Sequence, residues 1–276
     1  MSDLKITYCG YNGFIIESDD RKIVVDPGAS LYVFALGPII PKKEWKDVTH
    51  IIVTHADPDH YWHADRMAAE SHAPIICGSE LVEVREGRPF IVSPRKKKLQ
   101  HSTEVERAYP MKPGDRIEVD GVLVQALPAT HGNVEISLLF GLIKKTFTKE
   151  PDRLFAVGET GFVMNVGNVR IANLGDTLLL PEWGELKPDI LMIPIGGKKV
   201  KNTMNEQEAL AAVEMVKPGL VIPTHYDCGV LFSRNVNPAD TVFFKDAVEQ
   251  RGARCVVMKP GDELSYPREK AGGTVS

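Results

Sequence analysis

Residues 54–60 read THADPDH and place His55, Asp57, Asp59 and His60 within one short stretch. Imidazole nitrogens and carboxylate oxygens at such close spacing suit a borderline divalent cation, which takes nitrogen and oxygen donors together. The same run also has an ordinary reading, because Asp-Pro-Asp is a common composition for a turn and the N-cap of a helix. Three further positions add weight to the metal: His131 in PATHG, Asp176 in NLGDT and His225 in PTHYD. Each follows an apolar run of strand character, at 122–127, 169–173 and 220–222, as His55 follows 50–53. One histidine or aspartate at a strand end is usually structural; four repeats of the arrangement are hard to assign to chance. A cation held there lowers the pKa of water from about 15.7 to about 7, so the chemistry to expect is attack by water at neutral pH.

The elements that must position these residues follow from periodicity and turn chemistry. Short β-type runs at 4–8, 14–17 and 22–25, separated by Gly/Asn and Asp-Asp turn signals, predict an antiparallel meander. Further strands are expected at 74–77, 116–119, 161–166, 190–193 and 254–258. Asn205 and Glu208 have capping-box spacing ahead of an apolar stripe, Ala209, Ala212, Val213 and Val216, that Pro218-Gly219 ends. A second helix is expected from about Pro238 to Gly252 with Asn237 as its N-cap, and a third over 61–70. Clustered early strands followed by helices between apolar strands predict sheets covered by helices, an α/β fold.

Composition narrows the class of protein. The 276 residues are 43% hydrophobic and 25% charged, which allows a sizeable core. A net charge of −4 provides no basic footprint for duplex nucleic acid. The longest apolar stretches, 32–40 and 136–143, are about half of the roughly 20 residues that span a bilayer, and Asp3 and Lys5 interrupt the start where a secretory signal needs an apolar run. These features predict a cytoplasmic protein without a membrane span. The four cysteines, Cys9, Cys77, Cys228 and Cys255, are scattered without a CxxC pair and read as reduced, buried hydrophobes. Residues 1–267 are expected to form one domain and 268–276 a loose tail.

The order of these motifs resembles the metallo-β-lactamase superfamily, whose first motif reads HxHxDH and is followed by a lone His, a GD aspartate and a late His. VVDPG at 24–28 is similar to the family's opening strands. GDT at 175–177, IPIGG at 193–197, TMNEQEA at 203–209 and PTHY at 223–226 resemble the branch that contains ascorbate-6-phosphate lactonase. The resemblance spans about 4–227. It implies an αββα four-layer sandwich with one or two divalent ions, zinc foremost, at one edge of two facing sheets. By position it implies that His55, Asp57 and His131 hold the first ion, that Asp59, His60 and His225 hold the second, and that Asp176 bridges them. It also gives Asp59 the catalytic role of orienting the attacking hydroxide or shuttling a proton. The chain departs from the pattern at Asp57, where the family has its second histidine; a carboxylate there is a harder ligand that brings manganese or iron into range or weakens the first site.

Around these ligands, Thr54 and Thr224 are candidates to fix ligand geometry by hydrogen bonds or are simply strand-end β-branched residues. His63, one helical turn beyond Asp59 and His60, is a candidate to support the same cavity. Lys198 in GGKKVKNT, near a helix N-terminus, and Tyr226 are candidates for substrate contact, and the lysine suggests an anionic small molecule. RKKK at 95–98 reads as a solvated face. The apolar stretch 134–147 reads as a lid, a subunit interface or a buried strand. The leading function is hydrolysis of a lactone or another ester-like bond. The same two-ion site also serves phosphodiester hydrolysis, and a protein whose first site has decayed would bind metal or ligand without turnover. Relatives in this branch often oligomerise, so a homo-oligomer is allowed for.

Overall fold

The computed structural model describes residues 3–32, 35–93, 101–138, 143–147, 156–184 and 186–267. Alternating side chains build two sheets that face one another. The first contains β1 (Leu4–Gly10), β2 (Gly13–Ser18), β3 (Arg21–Val25), β4 (His50–Val53), β5 (Ile75–Gly78), β6 (Ala108–Met111) and β14 (Glu263–Tyr266). The second contains β7 (Arg116–Val119), β8 (Val122–Pro128), β9 (Thr160–Val166), β10 (Val169–Asn173), β11 (Ile190–Pro194), β12 (Leu220–Thr224) and β13 (Arg254–Cys255). Their strand orders are β6-β5-β4-β3-β2-β1-β14 and β7-β8-β9-β10-β11-β12-β13.

Period-two alternation decides which side of each strand meets which layer. Ile23, Val25 and Ile52 face Val124, Phe162, Met164, Ile171, Met192 and Ile222 between the sheets. Val24, Ile51 and Val53 point the other way, toward α2 (Ala64–Ser71), where Ala64, Met67 and Ala68 are buried. On the far side Val163, Ala172, Leu191 and Val221 pack against α4 (Glu206–Val216) and α5 (Thr241–Gln250) through Ala209, Val213, Phe244 and Val248. The result is the four-layer αββα arrangement. His50, which fits no motif, ties the sheets together, its Nε2 lying 2.9 Å from the carbonyl of Val119.

Each sheet begins as an antiparallel meander and continues with parallel strands. β3 and β4 run in parallel, and β8, β10 and β12 share one direction because β9 lies antiparallel between β8 and β10. Their carboxyl ends therefore gather along one edge of each sheet, the place where open α/β sheets bind ligands.

The capping box at Asn205 forms as its spacing predicts. Three expectations need correction. The segment expected as one helix over 61–70 is broken into α1 (Pro58–Tyr61) and α2, because His63 leaves the helix to donate its amide to Pro27 and to set its ring against the Leu36 carbonyl. α5 starts at Thr241 with Asp240 as N-cap, accepting from the Phe243 amide, whereas Asn237 is buried and spends its side-chain amide on Gly196 and Asn202. The strand expected over 254–258 stops at Cys255. Periodicity also missed β6, which holds a proline, Pro110, at a sheet edge where a missing amide is tolerated, and the three-stranded sheet of Val82–Arg85, Arg88–Ser93 and His101–Glu104. Val134–Leu138 and Ile143–Phe147 form a separate antiparallel hairpin. The tail 268–276 and the RKKK run lie outside the described residues, and no helix among those described is long and apolar enough to cross a membrane.

Candidate metal centre

All seven of the expected ligands converge at the shared sheet edge. Their donor atoms fall into three overlapping groups, His55 with Asp57 and His131, Asp59 with His60 and His225, and His55 with His60 and Asp176, within each of which the atoms lie no more than 4.8 Å apart. Asp176 stands in the middle. Its Oδ2 is 2.9 Å from His225 Nε2, 3.7 Å from His60 Nε2 and 3.8 Å from His131 Nε2. Asp57 Oδ2 is 3.4 Å from His55 Nε2, and Asp59 Oδ2 is 3.5 Å from both His60 Nε2 and His225 Nε2. His55, His60, His131, His225 and Asp176 are buried, whereas the Asp57 and Asp59 side chains keep 14% and 13% of their surface, so the cluster opens on the side of these two aspartates.

Several polar atoms here fail an elementary accounting. Among the described residues His55 Nε2, His60 Nε2, Asp176 Oδ1 and both ring nitrogens of His225 are buried without a hydrogen bond. Each such group costs about 1–3 kcal/mol, and several aimed at one point make sense when a cation completes them. The tautomers agree. His60 Nδ1 donates to Asp26 Oδ2 at 2.7 Å, and His131 Nδ1 donates to the Gly132 carbonyl at 2.7 Å. The Thr54 hydroxyl gives its proton to Asp26 Oδ2 and so can accept from His55 Nδ1 at 3.1 Å. Three imidazoles thereby engage Nδ1 elsewhere and present Nε2 to the cluster, able to bind a cation once any proton there is lost. The donor set, four imidazoles and three carboxylates, fits divalent transition-metal ions.

The charge balance points the same way. Burial is the largest influence on Asp59 and pushes its carboxyl up, yet His60 and His225 hold it well below the usual carboxylate range. Asp57 and Asp176 are likewise ionised against burial, the first by His55 and His131 and the second chiefly by His225 and His60. Burial depresses His60 and His225, but Asp59, Asp26 and Asp176 around His60, and Asp176 beside His225, hold both well above the ordinary histidine value. The cation-free cluster thus keeps protons on two imidazoles at neutral pH, and a metal ion must displace them. Uptake at pH 7 is expected to release about two protons, and apparent affinity is expected to rise with pH through the neutral range. Calorimetry in buffers of different ionisation enthalpy measures this directly; uptake without proton release would contradict it.

The most informative residue that the sequence reading left without a role is Asp26, in the VVDPG turn after β3. It is fully buried and accepts from the Thr54 amide (2.7 Å), the Thr54 hydroxyl (2.7 Å), His60 Nδ1 (2.7 Å) and Asn12 Nδ2 (2.7 Å). Asn12 in turn exchanges hydrogen bonds with Asn173. On the other side Asn237 donates to Asn202, whose amide donates to Asp176 Oδ2 at 3.3 Å. The signal for Asp26 was its position, a carboxylate at the end of an apolar strand like the ligands themselves. Asp26→Asn replaces an acceptor of four hydrogen bonds by a group that accepts on one atom only, and is expected to weaken metal binding about 10–100-fold, measured by competition with a chromophoric chelator; unchanged affinity would rule out an orienting role.

The remaining candidates fare differently. The Thr54 hydroxyl lies 3.1 Å from His55 Nδ1 and 3.4 Å from His60 Nδ1, whereas the Thr224 hydroxyl is buried and makes no hydrogen bond among the described residues, in keeping with a strand-end β-branched residue. His63 lies against Trp45 and the Leu36 carbonyl, not among the ligands. Lys198 is exposed on the short helix α3 (Gly197–Val200) and lines a separate groove of about 460 Å³ with Asn205, Gln207, Asp240 and Phe243. Tyr226 stacks on Tyr8 and donates its hydroxyl to the Met258 carbonyl, so its polar end is occupied away from the ligands. Cys228 is buried, its thiol pushed up to about 12 by burial. Asp57 does occupy the N-cap position of α1, but its Oδ1 accepts from the Ala156 amide at 2.6 Å rather than capping, which leaves Oδ2 for the cluster.

Known proteins are similar to this chain over nearly its whole length. A model of the beta-lactamase superfamily domain matches residues 5–225. A UPF0173 metal-dependent hydrolase of Archaeoglobus fulgidus is 28% identical over 274 residues, covering 95% of this chain and 99% of the relative. One of Desulforamulus reducens is 30% identical over 267 residues, with 95% and 99% covered. Among solved structures Igni18, described as a metallo hydrolase from Ignicoccus hospitalis, is similar with a TM-score of 0.68 at 23% identity, covering 97% of this chain and 100% of that one, a likeness of fold.

Proposed function

Because the chain belongs to the metallo-β-lactamase superfamily, as a metal-dependent hydrolase, we propose that it opens a lactone or another ester-like bond of a small anionic molecule in the cytoplasm. The observation that supports a hydrolytic centre is the convergence of buried, unsatisfied imidazole and carboxylate atoms on one point. Divalent ions would be held by His55, Asp57 and His131 and by Asp59, His60 and His225, with Asp176 available to both sets, and would supply a lowered pKa for water and polarisation of a substrate oxygen. Asp59 is assigned the catalytic role: it is partly accessible and lies 3.5 Å from both His60 Nε2 and His225 Nε2, so it can orient the attacking water. Asp26 and Thr54 hold the rings that face it. Lys201, exposed and next to the Asn202 that touches Asp176, is better placed than Lys198 to meet an anionic group.

Asp57 gives the first donor set two imidazoles and one carboxylate, the same composition as the second. Zinc fits both, and the added oxygen donor brings manganese and iron into range. Asp57→His is expected to shift the zinc-to-manganese retention ratio about tenfold toward zinc, read by elemental analysis after dialysis against both ions; an unchanged ratio would remove Asp57 from metal selection. The test of function is a hydrolysis panel of lactones, phosphodiesters and thioesters with zinc, manganese or iron. Turnover of lactones is expected, and activity on phosphodiesters alone would replace the proposed reaction by in-line displacement at phosphorus.

A further inference from the structure

Beside the cluster lies apolar surface that the chemistry described so far does not use. Leu31–Tyr32 and Val230–Leu231 pair in parallel, and Leu36 and Phe232 follow just beyond them. Leu36 and Leu231 are each 37% exposed and Phe232 is 77% exposed. Isolated exposed apolar side chains need no explanation, but Leu231 lies on this pair, Phe232 directly follows it, and Leu36 folds back beside it through its amide, which donates to the Ser30 carbonyl, so the three sit on neighbouring segments. Both leucines also hold left-handed backbone, with φ of 46° and 54°, a conformation that costs leucine about 1 kcal/mol or more and persists where surrounding contacts impose it.

Those contacts run to the metal centre. The Leu36 amide donates to Ser30 and its carbonyl meets His63 Nε2 at 3.1 Å. The Ala29 amide donates to Pro58, the residue before Asp59. Tyr11 joins the other side: its carbonyl accepts from the His225 amide at 2.9 Å, while its hydroxyl accepts from the Leu31 amide at 3.2 Å and donates to the Gly229 carbonyl. The segments that carry the patch are therefore tied by hydrogen bonds to Pro58, between the two aspartates on whose side the cluster opens, and through Tyr11 to His225.

We propose that Leu36, Leu231 and Phe232 form a shelf that binds an apolar portion of the substrate, so that the molecule hydrolysed here carries an alkyl or aromatic group next to its reactive bond. The side chains of the shelf offer no hydrogen-bond donor or acceptor, so it discriminates by area covered, and affinity grows with chain length. This inference rests on the hydrolytic reading for its location but not on the identity of the bond cleaved.

The test uses the metal-loaded full-length protein in two arms. In the first, kcat/KM is compared for γ-valerolactone, γ-nonalactone and γ-undecalactone; in the second, calorimetry compares binding of butyrate and octanoate, which needs no turnover. Wild type is expected to favour octanoate over butyrate about tenfold, since an open shelf covers only part of each added methylene, and to show a matching rise across the lactones. Phe232→Ser and Leu231→Asn, the latter tolerant of left-handed backbone, are expected to flatten both series to about twofold or less. A wild type without chain-length preference, or variants that retain it, would overturn the shelf. If no lactone is turned over but the octanoate preference depends on Phe232, the shelf stands and the lactone reading falls. If the variants turn a dimer into a monomer in sedimentation while the chain-length ratio stays, the surface is an interface between copies and the proposal is wrong.

Discussion

Asp176→Asn is expected to lower kcat/KM by about a thousandfold or more and to leave the protein with no more than one tightly held metal equivalent. Among the described residues Asp176 is the one carboxylate that approaches His60, His131 and His225 together, and its Oδ1 is buried there without a hydrogen bond. The amide keeps the shape and removes the charge. It also directs either an N–H donor or a weaker oxygen at positions where lone pairs are required, and a buried donor facing a cation is worse than no group at all. Kinetics and elemental analysis on the same sample check the expectation. A variant that retains two equivalents and most of its activity would show that Asp176 only balances charge.

Gly28→Ala is expected to destabilise the metal-free protein by about 3 kcal/mol, lowering its melting temperature by about 6–12 °C, and to impair metal binding at the same time. A β-carbon on Gly28 would lie 1.8 Å from the Asp59 carbonyl oxygen and 2.5 Å from the His60 amide nitrogen, and backbone cannot yield as a flexible side chain does. The Pro-Gly after Asp26 brings its chain against the very loop that carries two ligands. Relief of the clash must move either Asp26 away from His60 or the Asp59–His60 backbone out of the cluster. Thermal denaturation with and without added metal measures both effects; an alanine variant with wild-type melting temperature and metal content would mean that the two loops are not in close contact.

The metal-ligand cluster was legible in the sequence because four of its seven members, His55, His131, Asp176 and His225, obey one local rule, an apolar strand ending in a ligand-type side chain, and Asp57, Asp59 and His60 follow His55 within the same short stretch. Strand direction then carries the members to a common edge. His131, Asp176 and His225 needed no long-range information beyond β8, β10 and β12 running the same way. Asp26 obeyed the rule too, but an aspartate before Pro-Gly reads equally well as a turn residue, and only the register of β3 beside β4 brings it to Thr54 and His60. Asn202 and Asn237 were illegible, since their partners come from separate loops and polar residues in loops carry no periodic signature. Asn237 was also mistaken for a helix cap for that reason: its side chain satisfies a tertiary contact, and Asp240 meets the orphan amides instead. β6 was missed because Pro110 contradicts a strand everywhere except at an edge. The shelf of Leu36, Leu231 and Phe232 lay in segments with no periodicity, and only the pairing of residues nearly 200 positions apart reveals it.

The central claim is that donors from four strand ends hold metal ions around Asp176. Anomalous scattering from crystals of the metal-loaded protein, recorded on either side of the absorption edge, tests it most directly. Two peaks about 3.5–4 Å apart are expected, one among His55, Asp57 and His131, the other among Asp59, His60 and His225, with an Asp176 oxygen within bonding distance of both. Density at neither position in crystals whose elemental analysis shows bound metal, or peaks that touch neither His131 nor His225, would contradict it.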